Sequence, residues 1–117
     1  MGSALYRGQA LYSGDYIQRI GAGGWYCWLV MQSDDNLVLY KGYSNHAVYK
    51  ACWASNTGNR GWNSAYVVYQ NDGNFVMYDY LGYVYWASNS VGDTGTTVDI
   101  NNKGQLYVGY EVMNSAC

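Results

Sequence analysis

Short runs of alternating apolar and polar residues recur along this chain, and such alternation is typical of half-buried β-strands. In residues 36–40, Leu37 and Leu39 point to one face, while the residues between them point to the other. The same alternation recurs in residues 74–78 and 105–109. No long run has apolar residues at the spacing of a helix. The pattern therefore predicts an all-β chain of many short strands.

The polar side of this pattern is repeated more closely than the apolar side. Residues 32–40 and 70–78 carry Gln, Asp, Asn, Val and Tyr at every second position and differ mainly at the positions between. The shared residues are Gln32, Asp34, Asn36, Val38 and Tyr40 in the first copy and Gln70, Asp72, Asn74, Val76 and Tyr78 in the second. Packing alone would fix the apolar side and leave the exposed side free to vary. We therefore interpret the exposed side as a binding site for a polyhydroxylated ligand such as a sugar.

A third, weaker copy of the motif covers residues 101–109. Its five equivalent positions hold Asn101, Lys103, Gln105, Tyr107 and Gly109. Lys103 replaces the carboxylate with a cation, and Gly109 removes the phenol. This copy is therefore expected to be a degenerate, inactive site.

Turn-forming residues fall at the same place in each copy and predict three hairpins. They are Asp-Asp at 34–35, Asp-Gly at 72–73 and Lys-Gly at 103–104. Each unit is expected to form a small antiparallel sheet with one apolar face, and three such faces can be buried together around a common axis. With 117 residues, the chain has the usual size of one domain. We predict a single domain over residues 1–117, made of three tandem sheet repeats.

Composition argues against several other functions. The net charge is −2 and the chain has only six Lys and Arg residues, so it lacks the basic surface of a nucleic-acid-binding protein. The eight Asp and Glu residues lack EF-hand spacing, and the three Cys and one His lack zinc-ligand spacing, so no metal and no other cofactor is expected. The one histidine, His46, has no repeated partner, and we expect no catalytic residues and no enzyme activity. No apolar run approaches the ~18 residues that span a bilayer, so no membrane insertion is expected.

The three cysteines, Cys27, Cys52 and Cys117, allow three different single disulfides. Cys27 begins the central hairpin of the first unit and Cys52 ends that unit, so we favour a Cys27–Cys52 bond that would staple the loop between them. Cys117 would then be free or intermolecular. A disulfide indicates an oxidising compartment. We therefore expect an extracellular, secreted protein, although no signal-peptide pattern begins this chain.

A second motif repeats beside the first. Trp-Ala-Ser-Asn occurs at residues 53–56, after the first copy, and at residues 86–89, after the second. With the Gln-x-Asp-x-Asn-x-Val-x-Tyr pattern and the opening residues 5–17, it makes the chain resemble the bulb-type, or monocot, mannose-binding lectins and their animal, fungal and bacterial relatives. The resemblance covers nearly the whole chain. It implies a β-prism II fold, with three four-stranded antiparallel sheets in pseudo-threefold symmetry, and Ca²⁺-independent binding of mannose.

The resemblance also implies a role for each residue of the first motif. The glutamine would contact the 3-hydroxyl of the sugar, the aspartate and asparagine the 2-hydroxyl, and the tyrosine the 4-hydroxyl, while the valine would lie against the ring carbons. The chemistry of these groups agrees with that assignment. An axial 2-hydroxyl can donate to a carboxylate while it accepts from a neighbouring amide, whereas an equatorial hydroxyl would miss both groups.

The loop between Tyr40 and Trp53 is longer than the corresponding loop after the second copy. It carries Tyr43, Asn45 and His46, and we expect these residues to let the first site contact more than one sugar residue. The alternative is an ordinary surface loop. Trp53 and its repeat partner, Trp86, are expected to fill the core.

As a function, we expect a lectin that recognises and cross-links mannose-rich glycans in defence, as a homodimer or higher oligomer. The alternative is a protein-interaction or toxin-like module on the same fold, with vestigial sugar sites. Two intact copies of the motif out of three favour the lectin.

Overall fold

The computed structural model describes residues 2–59 and 64–117, which form twelve β-strands and a single 3₁₀ turn, Ala22–Gly24. No helix in these residues is long and apolar enough to cross a membrane. In chain order the strands are β1 Ala4–Tyr6, β2 Ala10–Leu11, β3 Tyr16–Ile20, β4 Tyr26–Met31, β5 Leu37–Gly42, β6 Val48–Ala54, β7 Tyr66–Tyr69, β8 Phe75–Tyr78, β9 Val84–Ala87, β10 Thr97–Ile100, β11 Leu106–Val108 and β12 Glu111–Val112.

The strands form three antiparallel sheets of four strands each, which confirms the predicted β-prism II architecture. The first sheet has the order β3-β4-β5-β6, the second β2-β7-β8-β9 and the third β1-β10-β11-β12. Each tandem unit supplies three consecutive strands of one sheet. The fourth strand of every sheet comes from the N-terminal segment, residues 4–20. The units therefore do not form complete sheets by themselves, contrary to the expectation from sequence.

One apolar core lies between the inner faces of the three sheets. Each N-terminal strand places one fully buried residue in this core, namely Leu5, Leu11 and Ile17. Buried residues of β4, β7 and β10 belong to the same core, as do the inward positions of the three motif copies: Leu37, Leu39, Phe75, Met77, Leu106 and Val108. Burying each such side chain contributes roughly 1.5–3 kcal/mol to folding. The polar motif residues are consequently held on the outer faces.

Trp53 and Trp86 pack against this core, as the sequence predicts. Their rings meet edge to face with centroids 5.3 Å apart, and Trp86 also contacts the ring of Phe75 at 6.0 Å. The two tryptophans therefore join the first and second sheets. Edge-to-face contacts of this kind stabilise a core beyond the area that they bury.

The three predicted hairpin turns are present, and each needs a residue in the left-handed region. That residue is Asp35 in the first copy (φ 71°), Gly73 in the second (φ 94°) and Gly104 in the third (φ 71°). Asp35 is the one of these three residues that is not a glycine. Its left-handed conformation is stabilised by its own carboxylate, which accepts a hydrogen bond from the Ala65 backbone N–H at 3.2 Å. Asp35 is therefore fixed by burial between two units.

The predicted Cys27–Cys52 disulfide is wrong, because strand β5 lies between the strands that carry these cysteines. Cys27 faces Lys41 across the β4–β5 pair, and two strand spacings amount to about 10 Å, beyond the reach of a disulfide. Cys52 instead bonds to Cys117, with Cα atoms 5.7 Å apart. Cys117 is thus neither free nor intermolecular. Cys27 is a buried free thiol, and burial raises its pKa, partly offset by the charge of Lys41.

Candidate functional site

The five residues of the first motif run from the β4–β5 turn along β5, and their polar groups form one connected network. The Gln32 amide Nε2 donates to the Asp34 carboxylate at 3.1 Å, and the Tyr40 hydroxyl donates to Gln32 Oε1 at 2.5 Å. Asp34 Oδ1 also accepts the backbone N–H of Asn36 at 3.0 Å. The glutamine therefore links the carboxylate to the phenol. All three side chains are partly buried, which restricts their rotamers without closing them to a ligand.

Asn36 is oriented by the second repeated motif. Its Oδ1 accepts hydrogen bonds from the Ser55 hydroxyl at 3.1 Å and from the Thr57 backbone at 3.3 Å. Ser55 is itself fixed, because its oxygen accepts the Leu37 N–H at 3.0 Å. The amide oxygen of Asn36 is thus occupied. Its Nδ2, which has no protein partner among the described residues, remains as a donor beside the Asp34 acceptor.

The second motif copy, on β8, repeats this arrangement. Asp72 Oδ1 accepts the Asn74 N–H at 2.9 Å, and Asn74 Oδ1 accepts from the Ser88 hydroxyl at 3.1 Å and the Ser90 backbone at 3.2 Å. Two details differ from the first copy. Among the described residues, no Gln70–Asp72 hydrogen bond corresponds to the one between Gln32 and Asp34. Here the Gln70 amide donates to the Tyr78 hydroxyl, at 3.0 Å, so this phenol keeps its proton for another acceptor.

Each site has one valine as its apolar floor, Val38 in the first site and Val76 in the second. Val38 and Val76 are each only 3% exposed, although both lie outside the central core cluster. Both are more buried than the exposed ribbon expected from the sequence. A small apolar floor between polar groups is the arrangement that the CH face of a sugar ring requires.

The third copy is arranged differently. The Asn101 Oδ1 accepts the backbone N–H groups of Lys103 (2.9 Å) and Gln105 (3.0 Å), and its Nδ2 donates to the Gln105 side chain at 2.9 Å. A Cβ added at Gly109 would collide with the Asp93 carboxylate, which accepts the Tyr110 N–H at 3.2 Å. The polar groups of this copy satisfy one another, and a carboxylate lies beside the position that would need a tyrosine. These contacts support the prediction of an inactive site, which stays a prediction.

The long loop after β5 places its three candidate residues in different surroundings. The Tyr43 ring lies 5.4 Å from the ring of Trp25, and Asn45 caps the Ala47 N–H at 3.0 Å. Only His46 folds back over the outer face of the first sheet, where its ring stacks on Trp28 with centroids 4.1 Å apart. Of these three candidate residues, His46 alone packs beside the first site, through Trp28.

The role of the Trp-Ala-Ser-Asn motif, which the sequence left unassigned beyond its tryptophan, gives a testable prediction. In an Asp72→Asn background, which isolates the first site, Ser55→Ala should weaken mannose binding by about tenfold, because Asn36 loses the hydroxyl that orients its amide. An NMR titration with mannose measures the change. Ser88→Ala in the same background is the matched control and should leave the first site as it was. Equal losses in the two variants would contradict the orienting role.

Comparisons with known proteins agree with this fold. No family model matches the chain. A mannose-specific lectin of Dendrobium findlayanum is 47% identical over 51 residues, which is 44% of this chain and 26% of that protein. The matched segment thus spans about a quarter of the length of that relative.

Solved structures match over nearly the whole chain. The snowdrop (Galanthus nivalis) mannose-specific agglutinin, complexed with methyl-α-D-mannoside, is 30% identical and matches 97% of this chain and 90% of its own, with a TM-score of 0.72. A lectin from Allium sativum is 31% identical over 98% of this chain and 96% of its own, with a TM-score of 0.70. Tarin lectin bound to trimannose is 26% identical over 98% and 91%, with a TM-score of 0.69. The same fold, at this identity and coverage, shows that the chain belongs to the bulb-type mannose-specific lectins.

Proposed function

We propose that this chain is a Ca²⁺-independent lectin with two mannose-binding sites, centred on Asp34 with Asn36 and on Asp72 with Asn74. The observation that carries the proposal is the repeated pairing of a carboxylate acceptor with an asparagine whose amide oxygen is held by a serine. The same pairing occurs on two different sheets. The snowdrop relative, complexed with a mannoside, supports mannose as the sugar.

The selectivity of the site follows from its hydrogen-bond chemistry. The axial 2-hydroxyl of mannose donates to the aspartate and accepts from the asparagine Nδ2, while the valine floor supports the ring. In glucose the equatorial hydroxyl leaves both protein groups unpaired, at a cost of roughly 1–3 kcal/mol. We therefore expect mannose to bind about tenfold or more tightly than glucose.

Valency gives such a protein its useful affinity. A shallow site with a few polar contacts to one sugar is expected to bind with a Kd on the order of 1 mM. Two sites on different sheets of one prism can engage two glycan branches or two cells, and oligomerisation as a homodimer or larger assembly would multiply them. Cross-linking of mannose-rich glycans in a defence role is the function that this arrangement serves best. The Cys52–Cys117 disulfide supports an extracellular location.

A mannose column tests the proposal directly. The purified chain should be retained on immobilised mannose and released by free mannose, with glucose as the matched competitor that releases it poorly. A folded chain that passes through unretained would overturn the proposal. It would favour the protein-interaction or toxin-like module with vestigial sugar sites.

Removal of divalent cations provides a second prediction. The described residues contain no group of three or more His, Cys, Asp or Glu side chains arranged to hold a metal ion. Both aspartates of the proposed sites are instead engaged with protein N–H donors. Excess EDTA should therefore leave the elution profile from the mannose column unchanged. A loss of retention that Ca²⁺ restores would contradict the metal-free mechanism.

A further inference from the structure

The outer face of the second sheet carries a row of three tyrosines that begins inside the proposed sugar site. Tyr78, whose hydroxyl is bonded to Gln70, lies 6.0 Å from the ring of Tyr66. Tyr66 in turn stacks on Tyr12, with centroids 5.3 Å apart and planes inclined by 23°. Tyr12 is 59% exposed, so its ring contributes little to the core and offers a free aromatic face. The row runs away from the site toward the edge strand β2.

The first sheet has the equivalent row, with one ring supplied from elsewhere. Tyr40 faces Trp28 across the β4–β5 pair, and Trp28 faces Gln18 on the edge strand β3. Gln18 therefore stands where the second sheet has Tyr12. The missing ring comes from the loop, because His46 stacks on Trp28 with planes inclined by only 6° and is hydrogen-bonded to the Gln18 side chain.

The surface next to the first row is open. The ring of Tyr16 meets His46 edge to face at 5.1 Å, and its own side chain is 42% exposed. Beyond it lies a groove of about 600 Å³ lined by Gly2, Ser3, Gly14, Asp15, Tyr16 and Gln18. Polar groups there stand at the end of an aromatic row, which is the combination that a further pyranose residue requires.

The third sheet provides an internal contrast. Its row consists of Tyr6, Thr97 and Gly109, since Tyr6 pairs with Thr97 and the Thr97 carbonyl accepts the Gly109 N–H. Tyr6 is 57% exposed, like Tyr12, but no aromatic stack connects it to the degenerate site. Within the part of the chain that the structure describes, a continuous row of rings accompanies the two proposed sites and not the degenerate copy. In the first sheet the loop residue His46 completes the row, because the strand residue at that position, Gln18, is not aromatic.

We propose that each row is an aromatic shelf that binds the second residue of a mannose oligosaccharide, next to the mannose held by the motif. This inference rests on the proposed function and extends it to the class of ligand. The second-site shelf is Tyr12, Tyr66 and Tyr78, and the first-site shelf is His46, Trp28 and Tyr40. Each shelf is continuous with its site through the tyrosine that bonds the motif glutamine. In the second shelf the apolar CH face of a pyranose covers the exposed ring of Tyr12, and in the first it covers the partly buried ring of His46, which overlies the buried Trp28.

Variants of the second site test the shelf. In an Asp34→Asn background, calorimetric titrations with methyl α-mannoside and with trimannose give a preference ratio for the second site alone. Tyr12→Ala should lower the affinity for trimannose about two- to tenfold and bring the ratio close to one, because the stack is lost. Tyr6→Ala, which removes an equally exposed tyrosine beside the degenerate copy, should keep the parent ratio.

The first site is tested in the same way in an Asp72→Asn background. His46→Ala should reduce the trimannose preference, while Tyr43→Ala, in the same loop but against Trp25, should leave it intact. Thermal unfolding of each variant confirms that it is folded. A Tyr12→Ala or His46→Ala variant that keeps the parent ratio, or a parent without trimannose preference, would overturn the shelf while mannose binding stands. A parent that binds no mannoside at all would instead refute the proposed function, and the shelf with it.

Discussion

Replacing both Asp34 and Asp72 with asparagine should abolish retention on a mannose column without unfolding the chain. In the first site, Gln32 Nε2 lies 3.1 and 3.3 Å from the two oxygens of Asp34. An asparagine at position 34 has an NH₂ group in place of one carboxylate oxygen. The sugar hydroxyl then loses its acceptor, and the new NH₂ group faces the NH₂ group of Gln32, so that two donors meet. Loss of a charged hydrogen bond costs about 1.5–3 kcal/mol, enough to raise a millimolar Kd beyond detection.

The matched control is Asp99→Asn, which removes the same charge from the third sheet, where the carboxylate accepts from Thr97. It should elute as the parent chain does. Each single variant, Asp34→Asn or Asp72→Asn, should still bind mannose by one site and lose most of its ability to agglutinate cells, because cross-linking needs two sites. Retention of the folded double variant would refute the assignment of both sites.

Breaking the disulfide should have the largest effect on stability. Cys52 and Cys117 are 65 residues apart, and closing a loop of that length is worth about 4 kcal/mol in the chain-entropy model. Cys52→Ser and Cys117→Ser should therefore lower the free energy of unfolding in urea by similar, large amounts. The parent chain in a reducing agent should lose as much.

Cys27→Ala is the control for this series, because Cys27 is a buried thiol outside the bond. It should cost about 1 kcal/mol, as expected for the deletion of a small buried group. The pairing predicted from sequence, Cys27–Cys52, gives the opposite order, with Cys117→Ser harmless and Cys27→Ala costly. The urea transitions of the three variants thus decide between the two pairings.

The strands and the site motif could be predicted from sequence because both depend on local patterns. Alternation at Leu37 and Leu39 fixes which side of β5 faces the core, and the position of Asp35 fixes the turn. The disulfide could not be predicted in this way. Cys27 and Cys52 belong to the same unit, and only the sheet order shows that β5 separates them.

Two features of the site depend on contacts between distant residues. The repeat of Ser55 as Ser88 is visible in the sequence, but its hydrogen bond to the motif asparagine depends on the pairing of neighbouring strands. His46 has no repeated partner, so no pattern in the sequence indicates that its ring occupies the place that Tyr12 has in the second sheet. That equivalence appears only when Gln18, Trp28 and Tyr40 are aligned by register. When two equivalent rings come from different parts of the chain, as those of His46 and Tyr12 do, a comparison of the repeats does not reveal their equivalence.

The N-terminal segment, residues 4–20, has a consequence for how this protein folds. In a solenoid, each repeat contacts only its neighbours, so repeats can unfold one by one. Here β1 pairs with β10 of the third unit, and the next two strands, β2 and β3, complete the other two sheets. No unit can lose its structure without releasing a strand that is tied to the others. The repeats should therefore unfold in one cooperative transition, and folding should be slow, because the β1–β10 pairing joins residues that are far apart in the sequence.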